Sequence, residues 1–326
     1  FVFSRYQKDA VIRYKGNKDY WKPDDVKIDN LIFSINTDAS VRMQKLKAGE
    51  CHLMPYPSPA DLADIKADPA LKMDEQAGLN IGYLAYNTKV APFDKPEVRK
   101  ALNMAMDKKA LVEAVYQGSG VVAKNPIPPT MWSYNDAIAD DKYDPEAAKK
   151  MLEDAGVKNL SMDVWAMPVQ RPYMPNARRA AEMIQSDFAK VGVKVNIVSY
   201  EWGEYLKKSM EEGRKGAVIL GWTGDNGDPD NFLSVLLSCA AATPGGANRA
   251  YWCDKEFSDL LAKAKTTSDH AERVKLYEEA QVIFKKEEPW ATLAHSTQYV
   301  PMRKEVTGFV QSPLGDYTFE HVDLTE

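Results

Sequence analysis

Basic charge is in slight deficit, and no stretch of the chain stays apolar for long. Lys and Arg number 42 against 47 Asp and Glu, giving a net charge of −5 with both signs scattered along all 326 residues. A nucleic-acid binder carries a basic patch or stripe. None is present, so nucleic acid is not an expected partner. The longest apolar run, Ala217 to Trp222, falls far short of the roughly 18 residues that a membrane span needs. The four histidines (His52, His270, His295, His321) are too dispersed to ligate zinc, and no metal site is expected. Phosphate loops of the GxxxxGK[ST] or GxGxxG kind are missing, as are GxSxG and HExxH. No cofactor is expected. Cys51 has only His52 beside it, and an extended strand turns neighbours to opposite faces. Asp228 and Asp230 sit among Gly and Pro, where carboxylates are usually turn formers. Enzyme chemistry therefore has no positive support, and a secreted peptide hydrolase stays only as a remote alternative.

Cysteine is scarce, with three in all. Cys239 and Cys253 flank a loop-like stretch rich in Gly, Pro, Ala and Thr. A disulfide there would close a loop of about 15 residues, worth roughly 3 kcal/mol, and would indicate an oxidising compartment. Two unrelated buried thiols are the alternative. Cys51 is left over, which suggests a missing partner. The chain opens Phe1-Val2-Phe3, without Met or the basic and apolar regions of a signal peptide. The expectation is a fragment lacking an N-terminal portion.

What is present is a normal globular mixture, 44% hydrophobic and 27% charged, long enough for two domains. Val2 to Tyr6 with Val11 to Tyr14 reads as a hairpin, and Asn30 to Asn36 and Asn80 to Asn87 as strands. Asp38, Asp94, Asp107 and Asp144 are expected to start helices, with Pro96 and Pro145 at first-turn positions. Strand, helix, strand, helix, strand over Ser161 to Trp222 reads as a compact α/β unit. Helices follow over about Lys255 to Lys265 and Ala271 to Lys286, and an extended tail begins at Thr292. The chain is expected to be an α/β protein of two lobes.

Two loops place unusual groups directly after strands. One is Ala166 to Pro175 (AMPVQRPYMP), which carries Arg171. The other is Gly221 to Phe232 (GWTGDNGDPDNF), which carries Trp222, Gly224 and Asp225. Ligands of open α/β sheets collect beyond the carboxyl ends of strands. A guanidinium and a carboxylate together suit a zwitterion, since Arg grips a carboxylate bidentately and Asp accepts from an ammonium. The same two charges suit equally well a surface ion pair of little energetic weight.

The words WAMPVQRPYMPN, YEWGEYLKK and GWTGDNGDPDNF resemble the dipeptide-binding proteins of Gram-negative bacteria. These belong to the larger peptide- and nickel-binding family of ABC-importer subunits. YQKDAVIRYK, DASVRMQKLKAGEC, GLNIGYLAYN, VYQGSG, NPIPPTMW, AHST and RKEVTGF extend the resemblance over nearly the whole chain. The resemblance implies a two-lobed periplasmic-binding-protein fold of type II, in its large peptide-binding subclass and N-terminally truncated. Residues 1–76 would be part of lobe I, 77–290 lobe II, and 291–326 a segment returning to lobe I. The crossings would lie near Leu79 to Tyr83 and Ala291 to Ser296. It implies that Asp225 holds the peptide ammonium and Arg171 the peptide carboxylate, with Trp222, Gly224 and Trp202 lining the pocket. It pairs Cys239 with Cys253, and Cys51 with a cysteine outside this chain. Lobe closure over a dipeptide in the periplasm, delivery to an ABC-transporter permease and a monomeric state follow by the same analogy, with a chemoreceptor as a further partner. Recruitment of the scaffold for glutathione, haem or another metabolite is the rival. Met174 departs from the polar residue expected there and is expected to reshape a side-chain pocket.

Overall fold

Helix starts follow caps written into the sequence. Side chains of Asp38, Asp107, Asp144, Asn176, Asp254 and Asp269 each accept an amide three residues on, satisfying donors that a helix start leaves open. Asp94 does not do this. Lys95 occupies the cap position before Pro96, and no side chain accepts there. Proline at the first helical position lacks an amide and fixes φ, so this helix starts without a side-chain cap.

A computed structural model describes residues 1–325. In chain order its elements are β1 (Val2–Gln7), β2 (Val11–Lys15), β3 (Asn30–Ser34), α1 (Ala39–Lys47), α2 (Leu62–Ala67) and β4 (Leu71–Ala77). Then come β5 (Asn80–Tyr86), α3 (Pro96–Ala105), α4 (Lys108–Tyr116), β6 (Gly120–Val122), α5 (Pro145–Asp154) and β7 (Ser161–Trp165). These are followed by α6 (Ala177–Lys190), β8 (Lys194–Val198), α7 (Trp202–Ser209), β9 (Ala217–Thr223), α8 (Asp230–Leu237) and α9 (Lys255–Thr266). The chain ends with α10 (His270–Glu287), β10 (Trp290–Arg303), β11 (Val306–Thr307) and β12 (Asp323–Leu324).

The chain divides into two units, Phe1–Ala77 with Thr297 onward, and Gly78–Ser296. In the first, β1, β2 and β3 form an antiparallel meander, and β4 pairs antiparallel with Thr297 to Arg303 of β10. Its apolar clusters are small: Met43, Leu46, Met54, Ile65 and Leu71 in one, Val300, Met302, Val306 and Val322 in another. Phe1, Phe3, Tyr6, Ile32 and Phe33 remain exposed.

The second unit carries the large core. Its mixed sheet runs from the first half of β10 through β5, β9 and β7 to β8, with β6 pairing beside β10. β5 is antiparallel to β10 and β9, whereas β9, β7 and β8 are mutually parallel neighbours. Every residue of β5 is buried, as expected of a strand covered on both faces. Tyr83 stacks on Trp290 at a centroid distance of 3.9 Å, tying β5 to β10. Cys239 and Cys253 are disulfide-bonded, and Cys51 is a free thiol.

Candidate ligand-binding site

The parallel pairing of β7 with β9 (Val164 with Ala217, Trp165 with Val218) sends both strands out of the same sheet edge. The Arg171 loop leaves β7 there, and the Asp225 loop leaves β9. That edge is where ligands gather in α/β sheets.

The Arg171 loop is fastened by its backbone. Arg171 and Met174 exchange amide-to-carbonyl hydrogen bonds of 3.1 and 3.0 Å, a tight turn with Pro172 inside it. The Tyr116 hydroxyl donates to the Tyr173 carbonyl at 2.7 Å, and the Ser296 hydroxyl to the Pro172 carbonyl at 2.5 Å. Gly82 and Gly221 face each other across β5 and β9, and both lie under this loop. A Cβ on Gly82 would sit 2.6 Å from the Tyr173 carbonyl oxygen, and one on Gly221 would strike the Tyr173 ring. Two glycines at the same level of adjacent strands thus make room for the loop that carries Arg171. Burial pushes the Tyr173 phenol far above its ordinary value, so it stays neutral.

Arg171 is half-buried, with its guanidinium 4.5 Å from the centre of the Trp202 ring. Trp202 opens α7 behind Glu201, whose carboxylate accepts the amides of Gly203 and Glu204 at 2.9 and 3.3 Å. Trp202 stacks in turn on Tyr205 at 5.8 Å. The Tyr205 hydroxyl is 2.7 Å from the Ile219 carbonyl and 3.0 Å from that of Trp165. The surface under the guanidinium is therefore anchored to β7 and β9. Burial holds the Tyr205 phenol well above its ordinary value, so it is a neutral strut.

In the other loop the Gly224 amide donates to the Leu79 carbonyl at 2.8 Å, and a Cβ on Gly224 would crowd Phe232 of α8. Asp225 is exposed. Asn231 accepts Trp222 Nε1 and the Asp225 amide, each at 2.9 Å, and donates to the Asp225 carboxylate at 3.0 Å. Among the described residues neither Arg171 nor Asp225 enters an ion pair, with each other or with a neighbour. The surface-pair alternative has no counterpart here.

The sequence pointed to Arg171, Trp202, Trp222, Gly224 and Asp225. The structure places the first two in ring contact, Trp222 at the end of β9 and Gly224 and Asp225 on the loop after it, with Asn231 a partner shared by Trp222 and Asp225. Asn231, Tyr173 and Gly221 also lie inside the two motifs but carry no charge that singles them out, and Gly82 matters only through its register with Gly221. Met174 is fully buried, with its sulfur 3.9 Å from the Tyr116 hydroxyl, so it belongs to the core and not to a side-chain pocket. An apolar thioether suits that position because it fills an irregular gap. Among the described residues no group of His, Cys, Asp and Glu could hold a metal ion. Among the described residues no helix is long and apolar enough to cross a membrane either.

Residues 1–244 match the model of the bacterial extracellular solute-binding proteins, family 5 Middle. The chain belongs to this family. This family 5 member is 55% identical over 325 residues to Di/tripeptide-binding protein 1 of Pseudomonas aeruginosa, covering 99% of this chain and 60% of that protein. It is 49% identical over 325 residues to Heme-binding protein A of Haemophilus influenzae, covering 99% of this chain and 59% of that protein. Among solved structures, the dipeptide binding protein of Pseudoalteromonas sp. SM9913 in complex with Met-Leu superposes with a TM-score of 0.92 at 38% identity. The match covers 99% of this chain and 63% of that one. The family 5 member thus spans about 60% of the length of its curated relatives.

Proposed function

We propose that the protein captures dipeptides outside the cytoplasm, in the periplasm, for delivery to the membrane permease of an ABC importer. It acts as a receptor and not as an enzyme. Asp225 takes the peptide ammonium and Arg171 the peptide carboxylate, so the fixed span between the two ends of a dipeptide sets the length accepted. Trp202 and Trp222 flank the anchors, and Gly224 lets the Asp225 loop lie close to α8. The observation that carries this reading is a cation and an anion, neither in an ion pair among the described residues, on loops leaving the same edge of parallel neighbours β7 and β9. Two opposite charges in that setting match a zwitterion. Ligand side chains make no demand on either anchor, which favours breadth, since water adapts to each one.

Calorimetric titration of the full-length protein with Met-Leu and with N-acetyl-Met-Leu tests it. Tight binding of the first, lost on acetylation and lost again in Asp225→Ala, is expected. Removing one anchor should cost about 2–5 kcal/mol, mostly by stranding the opposite charge. Equal binding of the two ligands overturns the assignment. The 49% identity to Heme-binding protein A supplies a second reading. A Soret shift on adding haemin, with no heat from Met-Leu, would favour it.

A further inference from the structure

We propose that Arg273 and Trp132 are positioning residues that hold the Asp225 loop in its binding form; this rests on the reading of Asp225 as the ammonium anchor. The loop between β9 and α8 contains Gly224 and Gly227, and Asp225, Asn226 and Gly227 are exposed. Left to itself such a segment visits many conformations, and apparent affinity falls by the fraction of time spent out of the competent one. Two groups from outside the loop counter that freedom. Trp132 Nε1 donates to the Gly227 carbonyl at 3.1 Å. One terminal nitrogen of Arg273 reaches both carboxylate oxygens of Asp228, at 3.0 and 2.9 Å.

The restraint passes along the loop to the anchor. Asp228 accepts the Asp230 amide at 3.0 Å, which fixes the first turn of α8. From that turn Asn231 reaches back to the Asp225 amide and carboxylate. The clamp is itself braced. Arg273 Nε donates to the Ala264 carbonyl at the end of α9 at 3.0 Å, and Nη2 contacts the Tyr277 hydroxyl at 3.1 Å. Its guanidinium lies 5.2 Å from the Trp132 ring centre, and Trp132 packs on His270 at 4.5 Å and Tyr277 at 5.7 Å. Only a planar guanidinium serves the Ala264 carbonyl, the Asp228 carboxylate and two aromatic rings at once, so lysine is a poor substitute. Asp228 is thus more than a turn former, because it is the point at which α9 and α10 fix the geometry of the loop.

The test uses the full-length protein, with Met-Leu and its des-amino analogue as calorimetric ligands and thermal unfolding of the unliganded protein as a control. Arg273→Gln, Asp228→Asn and Trp132→Phe are each expected to weaken Met-Leu by about tenfold. The des-amino analogue, which never engages Asp225, should be unaffected. In an Asp225→Asn background Arg273→Gln should add nothing. Arg273→Lys should fail to restore affinity. Equal loss on both ligands, an additive double variant, or unchanged Met-Leu affinity in all three single variants overturns the proposal. A wild-type protein that binds both ligands equally sinks the Asp225 reading, and this one with it. A discriminating wild type with an indifferent Arg273→Gln sinks this one alone.

Discussion

Asn231 and Asp225 hold each other twice: the Asn231 amide nitrogen donates to the Asp225 carboxylate at 3.0 Å, and its oxygen accepts the Asp225 backbone amide at 2.9 Å. That oxygen also accepts Trp222 Nε1 at 2.9 Å, which settles the orientation of the side-chain amide, since its acceptor faces two donors and its donor an acceptor. The clasp occupies one Asp225 oxygen and leaves the other without a protein partner among the described residues. Asn231→Ala is expected to lower dipeptide affinity by about tenfold and stability by about 1–2 kcal/mol, since three hydrogen bonds go at once. Asn231→Asp should weaken binding further at neutral pH, because it sets a second carboxylate against the first. Calorimetric titration and thermal unfolding of both variants check this, and an Asn231→Asp protein that binds as well as wild type contradicts it.

Gly221 offers a second handle, on the opposite anchor. A methyl group there would strike the Tyr173 ring and the Ile81 carbonyl, and neither is the far end of a flexible chain. Gly221→Ala should cost about 1–3 kcal/mol in stability. It should also lower affinity by lifting the turn that presents Arg171. Gly192→Ala makes a useful contrast. Its added Cβ meets nothing within 4 Å, but the backbone has φ of +80°, so the cost there is conformational and leaves ligand affinity unchanged. Equal loss of affinity in the two variants would sink the steric account.

Much of the site was legible because its signals are local. The loops that carry Arg171 and Asp225 follow strands directly, and the helix after the Arg171 loop is capped by an ordinary Asn176 side chain. The strand β4 was not legible. Leu71-Lys-Met-Asp-Glu-Gln-Ala alternates only at its start, and its extended form is fixed by register with β10, over 200 residues away. The helix α8 was hidden for a different reason: it follows Pro229 with no side-chain cap, inside a stretch that reads as loop. Trp132 and Arg273 lie 95 and 45 positions from their loop partners, where no spacing rule reaches. Local chemistry survives in sequence, whereas support from distant elements exists only after folding.

The disulfide closes the segment between α8 and α9, and Asn248 spans the same segment from within. Its amide donates to the Ser238 and Trp252 carbonyls at 3.2 and 2.8 Å. Loop-closure entropy gives the covalent link about 3 kcal/mol. Replacing both cysteines by serine should lower the thermal midpoint, leaving dipeptide affinity within about twofold, because a constraint on the unfolded chain does not touch the anchors. A large loss of affinity in the double variant contradicts that separation.

His295 gives the protein an acid limit whose origin is a single ring. Its Nδ1 lies 2.8 Å from the Asn80 carbonyl and donates to it, while Nε2 is buried without a partner. Asn80 is committed on the same side, since its amide group exchanges hydrogen bonds of 3.2 and 2.8 Å with the Ser296 backbone. Among the described residues a proton on Nε2 would meet no acceptor. Burial therefore pushes the imidazole down from 6.5 to about 4, and the charge of Lys108 adds to the effect. The folded state keeps the ring neutral where the unfolded chain takes up a proton. The contribution is fully present above pH about 6.5 and drains away as pH falls toward about 4, on the order of 3 kcal/mol in all. In His295→Asn the side-chain amide can still donate to the Asn80 carbonyl, but nothing titrates. Denaturant unfolding at pH 7.5, 6 and 4.5 should show wild type losing stability relative to the variant as the pH drops, with the gap widest at pH 4.5. A gap that stays constant across the three values would show that this ring is not the group responsible.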